Sequence, residues 1–183
     1  MPGILILVAS VDGHAARIAE RVGEILTRAG HDIERMPVDA PDLARSLGAS
    51  DAVIVGAAIR YGRHVRAVET RIREHLAAIS GRPNAFFSVS LSGGGPGARP
   101  ETARAYVETF SERTGWHPQG TAIFGGALRY TKYNLFIRLM MRLIVGIAGG
   151  DTDTTRDYEY TDWSAVERFA SEFATALGPR RAA

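Results

Sequence analysis

Three short stretches of this chain gather residues suited to holding an anion or a flat ring. The first is Ser10-Val11-Asp12-Gly13-His14-Ala15, small and turn-prone residues directly after the apolar run Ile4 to Ala9. Between a buried strand and a helix, such a turn points backbone N–H groups at one spot, and the helix dipole adds attraction for an anion. The second is Ala57-Ala58-Ile59-Arg60-Tyr61-Gly62-Arg63-His64. Its small residues admit a planar ligand, Tyr61 offers a stacking face and Gly62 lets the backbone turn. The third is the glycine-rich Ser90-Leu91-Ser92-Gly93-Gly94-Gly95-Pro96-Gly97. Any one of these alone is an ordinary surface turn. Three in register at one sheet edge favour a mononucleotide carrying an aromatic ring.

The elements that must position these turns follow from periodicity. Ile4 to Ala9 is a continuous apolar run, as a parallel strand covered on both faces requires. Ile18, Val22, Ile25 and Leu26 then fall on one helix face, ended by Gly30. Further strands are expected at His31 to Met36, Asp51 to Gly56, Asn84 to Leu91 and Gln119 to Phe124. Between them lie a helix over Val65 to Ile79 and another from Pro100 to about Thr114, with a last helix capped by Asp162. Five strands alternating with helices predict an α/β, doubly wound parallel sheet of order 2-1-3-4-5 in one domain over 1–178, with a frayed tail at 179–183. In such sheets ligands bind at the carboxyl ends of the strands, where the three turns lie.

One segment breaks the alternation. Gly125 to Thr161 is far longer than a loop between a strand and a helix needs to be, and too apolar for disorder. Arg113 to Gly150 contains no acidic residue but holds Arg113, Arg129, Lys132, Arg138 and Arg142. Leu135 to Ala148 is helix-compatible, with Arg138 and Arg142 four apart on one face. Such a helix either packs on its own domain with snorkelling arginines or lies on a lipid surface or greasy partner, where arginine recognises carboxylates and phosphates. Arg129, Lys132, Arg138 and Arg142 are the candidate contacts to substrate or membrane.

Composition narrows the chemistry. Without cysteine there are no disulfides, thiolate metal sites or dithiol redox couples, so any redox role needs an organic cofactor. The 22 cationic and 20 anionic side chains leave a net charge of only +2, which gives no reason to expect a nucleic-acid partner. There is no P-loop sequence, no Gly-x-Gly-x-x-Gly in the first turn, and no aspartate at the end of the third strand for a phospho-receiver. His64 and His117 could accept protons, although a lone histidine is more often structural, so no catalytic base is assigned. A cytoplasmic location is expected, with peripheral attachment to the inner membrane compatible with the basic-apolar segment.

More specific motifs are Gly56-Ala-Ala-Ile-Arg-Tyr-Gly62, Phe87-Ser-Val-Ser-Leu91, Gly125-Gly-Ala-Leu-Arg-Tyr130, Gly149-Gly-Asp-Thr-Asp-Thr154 and Tyr160-Thr-Asp-Trp163. Together with Ser10-x-Asp-Gly they make the chain similar, from Ile4 to about Ala174, to the menaquinone-dependent protoporphyrinogen IX dehydrogenases of bacterial haem synthesis. That resemblance implies a flavodoxin-like fold with an inserted segment after the fifth strand, FMN as cofactor, protoporphyrinogen IX as substrate and menaquinone or another quinone as acceptor. It places the FMN phosphate at Ser10, Asp12, Gly13, His14 and Ala15, and the ring beside Ile59, Arg60, Tyr61 and Gly62 and beside Ser90, Leu91, Ser92, Gly93 and Gly94. Ala15 stands where the family usually has a hydroxyl, removing a hydrogen bond worth roughly 1.5–3 kcal/mol to a charged acceptor. The loop after the fourth strand also lacks basic residues found in some members. The alternatives are a flavodoxin-type FMN electron carrier without a dedicated substrate, and a binding protein that has lost its flavin. An exposed apolar helix would also suit a homo-oligomer.

Overall fold

The computed structural model describes residues 3–132 and 134–178; the side chain of Lys132 and the 179–183 tail lie outside the described residues. The chain runs β1 (Gly3–Ala9), α1 (His14–Arg28), β2 (Asp32–Pro37), α2 (Leu43–Ala49), β3 (Ala52–Arg60), β4 (Arg63–His64), α3 (Arg66–Glu74), α4 (Leu76–Ser80), β5 (Asn84–Ser90), α5 (Pro100–Thr114), β6 (Gly120–Gly125), β7 (Ala127–Leu128), α6 (Leu135–Ile147), β8 (Tyr158–Glu159) and α7 (Trp163–Leu177). Five strands form a parallel sheet in the order β2-β1-β3-β5-β6, the arrangement expected from the sequence.

Residues alternate between the two faces of each strand. Ile4, Ile6 and Phe87 point into a core closed by α1 and α7, which pack side by side. Leu5, Leu7, Val53, Val55 and Phe86 point the other way, under Leu43 and Leu47 of α2, Val68 and Ile72 of α3, and Phe110 of α5. Both faces being covered is why β1 and the body of β3 read as unbroken apolar runs. Pro100 opens α5, and the Asp162 carboxylate accepts from the Ser164 and Ala165 N–H groups at the start of α7, both as expected.

The structure corrects the sequence at the end of β3. β3 continues through Ile59 and Arg60 instead of ending at Gly56, and returns at once as β4, with Ile59 opposite His64 and Arg60 opposite Arg63. Tyr61 (φ 50°) and Gly62 (φ 77°) both lie in the left-handed region that a two-residue hairpin matching strand twist demands. Helix α2 also lacked an expectation, because only two large apolar side chains mark its face.

Candidate functional site

At the end of β1 the chain turns through Ser10 to Gly13 and enters α1, whose first turn carries no acidic residue and no side-chain cap. The N–H groups there are unsatisfied donors facing the positive end of the helix dipole, an arrangement fitted to an anion. Ser10 Oγ and His14 Nδ1 are enclosed and have no hydrogen-bond partner. Buried polar atoms are almost always paired, so two orphans beside an uncapped helix start mark a place built for a polar group. Asp12 and Gly13 are exposed on the turn. Ala15 is fully buried in the core, so only its backbone can face a ligand.

His14 is the hinge between this turn and the insertion. Its Nε2 lies 2.6 Å from Thr161 Oγ1, and Thr161 donates 2.8 Å to the Gly125 carbonyl. Burial lowers the His14 pKa from its ordinary value, opposed by Glu159 and reinforced by the nearby guanidiniums of Arg129 and Arg17. Thr161 stood out in the sequence only as part of the Tyr160-Thr-Asp-Trp163 motif and Glu159 not at all, because each acts through a partner far away in the chain.

At the end of β3, Tyr61 projects from the hairpin, 78% exposed, with the Arg60 guanidinium 5.3 Å from the centre of its ring. Beneath the hairpin His64 is buried, 3.0 Å from Ser88 Oγ and against the rings of Phe86 and Phe110. Burial pushes its pKa down to about 4. His64 is therefore a neutral strut holding β4 onto the sheet, and not an exposed proton acceptor; His117 is exposed.

The loop after β5 opens with Ser90, buried and with its Oγ unpartnered, followed by a single helical turn over Leu91 to Gly93. Its glycines answer to packing. A methyl group at Gly94 would sit 2.7 Å from the Tyr160 carbonyl oxygen, and one at Gly95 would lie 2.5 Å from the Tyr160 ring. The glycine run thus lets this loop slide beneath the insertion, a reason distinct from ligand approach.

The insertion folds back on itself. β7 pairs antiparallel with β8, Tyr130 is fully buried and donates to the Asp151 carbonyl, and Tyr160 donates to the Asp151 carboxylate. α6, capped by Asn134, buries only Val145. Leu135, Phe136, Leu139, Leu143, Ile144 and Ile147 are 51–80% exposed. The helix rests on its own domain through Val145 and Met141 and leaves the opposite apolar face uncovered. Of the four cations named from the sequence, Lys132 has its side chain outside the described residues, and Arg129, Arg138 and Arg142 do not act as a group. Arg138 Nε donates to the Tyr130 carbonyl, Arg129 is held near Asp157 and Glu159, and Arg142 alone stands exposed on the apolar face. The inner side of α6 and the glycine loop enclose a cleft of about 200 Å³ lined by Leu91, Ser92, Leu128, Val145, Tyr160 and Arg99. Arg99 was not foreseen.

A flavodoxin domain family model matches residues 5–155. Among relatives, the protoporphyrinogen IX dehydrogenase [quinone] of Leishmania major is 35% identical over 98% of this chain and 79% of its own length. The protein of the same description from Escherichia coli strain K12 is 34% identical over 93% of each chain. Solved structures similar in fold include a flavodoxin from the domain Archaea (TM-score 0.57, 14% identity, covering 97% of this chain and 99% of that one). A Streptococcus pneumonia TIGR4 flavodoxin is comparable (TM-score 0.57, 17% identity, 95% and 99% covered). The flavodoxins are similar in fold, whereas the dehydrogenases are similar in sequence through nearly the whole chain, including the insertion. The chain belongs to the flavodoxin-domain family and, within it, to the family of the quinone-linked protoporphyrinogen IX dehydrogenases.

Proposed function

We propose that this protein binds FMN and oxidises protoporphyrinogen IX to protoporphyrin IX, passing the electrons to a quinone of the menaquinone type. The observation that carries this is the end-to-end similarity to enzymes of that description, through the insertion that a plain flavodoxin domain does not need. An electron carrier without a substrate is the weaker reading, since flavodoxins of known structure resemble this chain in fold alone.

Bound FMN supplies the two-electron exchange between donor and acceptor. Six electrons and six protons leave the porphyrinogen in three rounds, and three quinones take them up as quinols. The amides of the first turn of α1, with Ser10, would hold the phosphate end. The β3–β4 hairpin at Ile59 to Gly62 and the Ser90 to Gly94 segment would border the ring, with the unpartnered Ser90 Oγ able to donate a hydrogen bond to it. His64 and Ser88 keep the hairpin in place from below.

The exposed face of α6 docks on a lipid surface. No helix among the described residues is long and apolar enough to cross a membrane. α6, at 13 residues with Arg142 on its exposed side, has the proportions of an interfacial helix. That suits an acceptor dissolved in a bilayer and an apolar macrocycle with two carboxylates, which Arg142 on the exposed face and Arg99 in the cleft could receive. A second copy of the chain is the competing cover for the same face.

The test is an assay of FMN-loaded protein with protoporphyrinogen and a menaquinone analogue, oxygen excluded. Quinone-dependent appearance of porphyrin fluorescence is expected. Turnover of the quinone with other reductants, but none with protoporphyrinogen, would remove the substrate assignment.

A further inference from the structure

We infer that Arg129, delivered by the insertion, and His14, at the head of α1, complete the phosphate end of the flavin site and replace the hydroxyl that Ala15 lacks. This rests on the FMN assignment above. The Ala15 side chain is sunk in the core, so that position has only an amide to offer. The insertion brings the compensating groups.

Arg129 is about four-fifths buried, and its Nε is enclosed without an acceptor. Its other nitrogens are 3.9 Å from Asp157 and 4.0 Å from Glu159, beyond hydrogen-bond length. A guanidinium cannot shed its proton, so this is a permanent cation with donors to spare. Glu159 ties it to α1, because the same carboxylate takes Arg17 at 2.6 Å, one turn after His14.

The His14 tautomer follows from counting protons. Thr161 has one hydroxyl proton and gives it to the Gly125 carbonyl. The 2.6 Å contact must then be His14 Nε2–H donating to Thr161 Oγ1. Nδ1 is left buried with nothing to accept from and nothing to donate to. In the anion-free protein burial favours the neutral ring. Arg17 and Arg129 add to that, and only Glu159 and the Gly125 carbonyl oppose it. A phosphate dianion at the helix start reverses the balance and draws a proton onto Nδ1, which then donates to it. Arg129 shares the remaining charge.

The experiment titrates the full chain, stripped of flavin, with FMN and with riboflavin, which lacks the phosphate, following quenching of flavin fluorescence. Arg129→Gln is expected to weaken FMN about tenfold or more, or 1.4 kcal/mol per decade, and to leave riboflavin unchanged. Above pH 7, where the phosphate is already a dianion, wild-type FMN affinity should fall with rising pH, and His14→Gln should flatten that dependence. Loss of Arg129 also strips Glu159 of a partner, so Glu159→Gln is the control that keeps the arginine: it should raise the FMN-to-riboflavin affinity ratio. A ratio unmoved in both Arg129→Gln and Glu159→Gln would overturn the inference. Wild-type protein that bound neither flavin would instead overturn the cofactor assignment beneath it.

Discussion

Replacing Leu139 and Leu143 with alanine should detach the protein from vesicles without harming its fold. Each change removes three carbons, about 2.4 kcal/mol of transfer free energy at full burial. Leu139 is 64% and Leu143 65% exposed, so roughly two-thirds of each side chain is free to enter a lipid interface. About 1.5 kcal/mol per residue is then lost, or about 3 kcal/mol for the pair, which is roughly a hundredfold in partition coefficient. Folding stability should change little, since neither side chain is buried at home and alanine is the better helix former. The assay is co-sedimentation with vesicles containing anionic lipid. Arg142→Gln should give a smaller decrease, about 1 kcal/mol, that disappears with neutral lipid. An unchanged partition coefficient for a folded Leu139→Ala/Leu143→Ala variant would refute the membrane-facing assignment of α6. A dimer that dissociates in that variant would hand the face to a second copy of the chain.

Further outcomes follow from the strand ends. His64 is neutral and buried with its pKa near 4, whereas the unfolded chain binds a proton below about 6.5. Its contribution is therefore complete above pH 6.5 and drains away as pH falls towards 4, by about 3 kcal/mol in all; urea unfolding at pH 7 and 4.5 should show this, with a shallower pH dependence in His64→Phe. Tyr61 occupies φ 50°, which costs a non-glycine residue about 1 kcal/mol. Tyr61→Gly should raise the melting temperature yet weaken flavin binding, and a variant that binds FMN undiminished would exclude Tyr61 from the ring site. Gly95→Ala places a methyl group against the Tyr160 ring and should lower stability by about 1–3 kcal/mol, read by thermal melting.

Patterns that depend on local chemistry were legible in the sequence. The two-face apolar strands, Pro100 at the start of α5 and the Asp162 cap all express forces acting within a few residues. What was not legible depends on partners distant in the chain. Glycines 93 to 95 looked like a loop shaped for a ligand, and the structure shows them making room for Tyr160 and the end of β6. Arg138 looked outward by helical spacing but turns to the Tyr130 carbonyl. The hairpin at Tyr61 was hidden because tyrosine is a poor signal for a left-handed turn position. His14 was read as lining the phosphate turn, and its link through Thr161 to Gly125 has no trace in local spacing. The strand ends carrying the three turns were thus placed at one edge of the sheet as expected, while the packing of individual residues there depends on the insertion.

The central claim is that this fold couples a porphyrinogen to a quinone through FMN. It is tested most directly by anaerobic mixing of FMN-loaded protein with protoporphyrinogen IX alone, followed by addition of a menaquinone analogue. The flavin absorbance at about 450 nm should bleach on the first addition and return on the second, with porphyrin formed in step. A flavin that stays oxidised with protoporphyrinogen, yet bleaches with a chemical reductant and recovers with the quinone, would contradict the account.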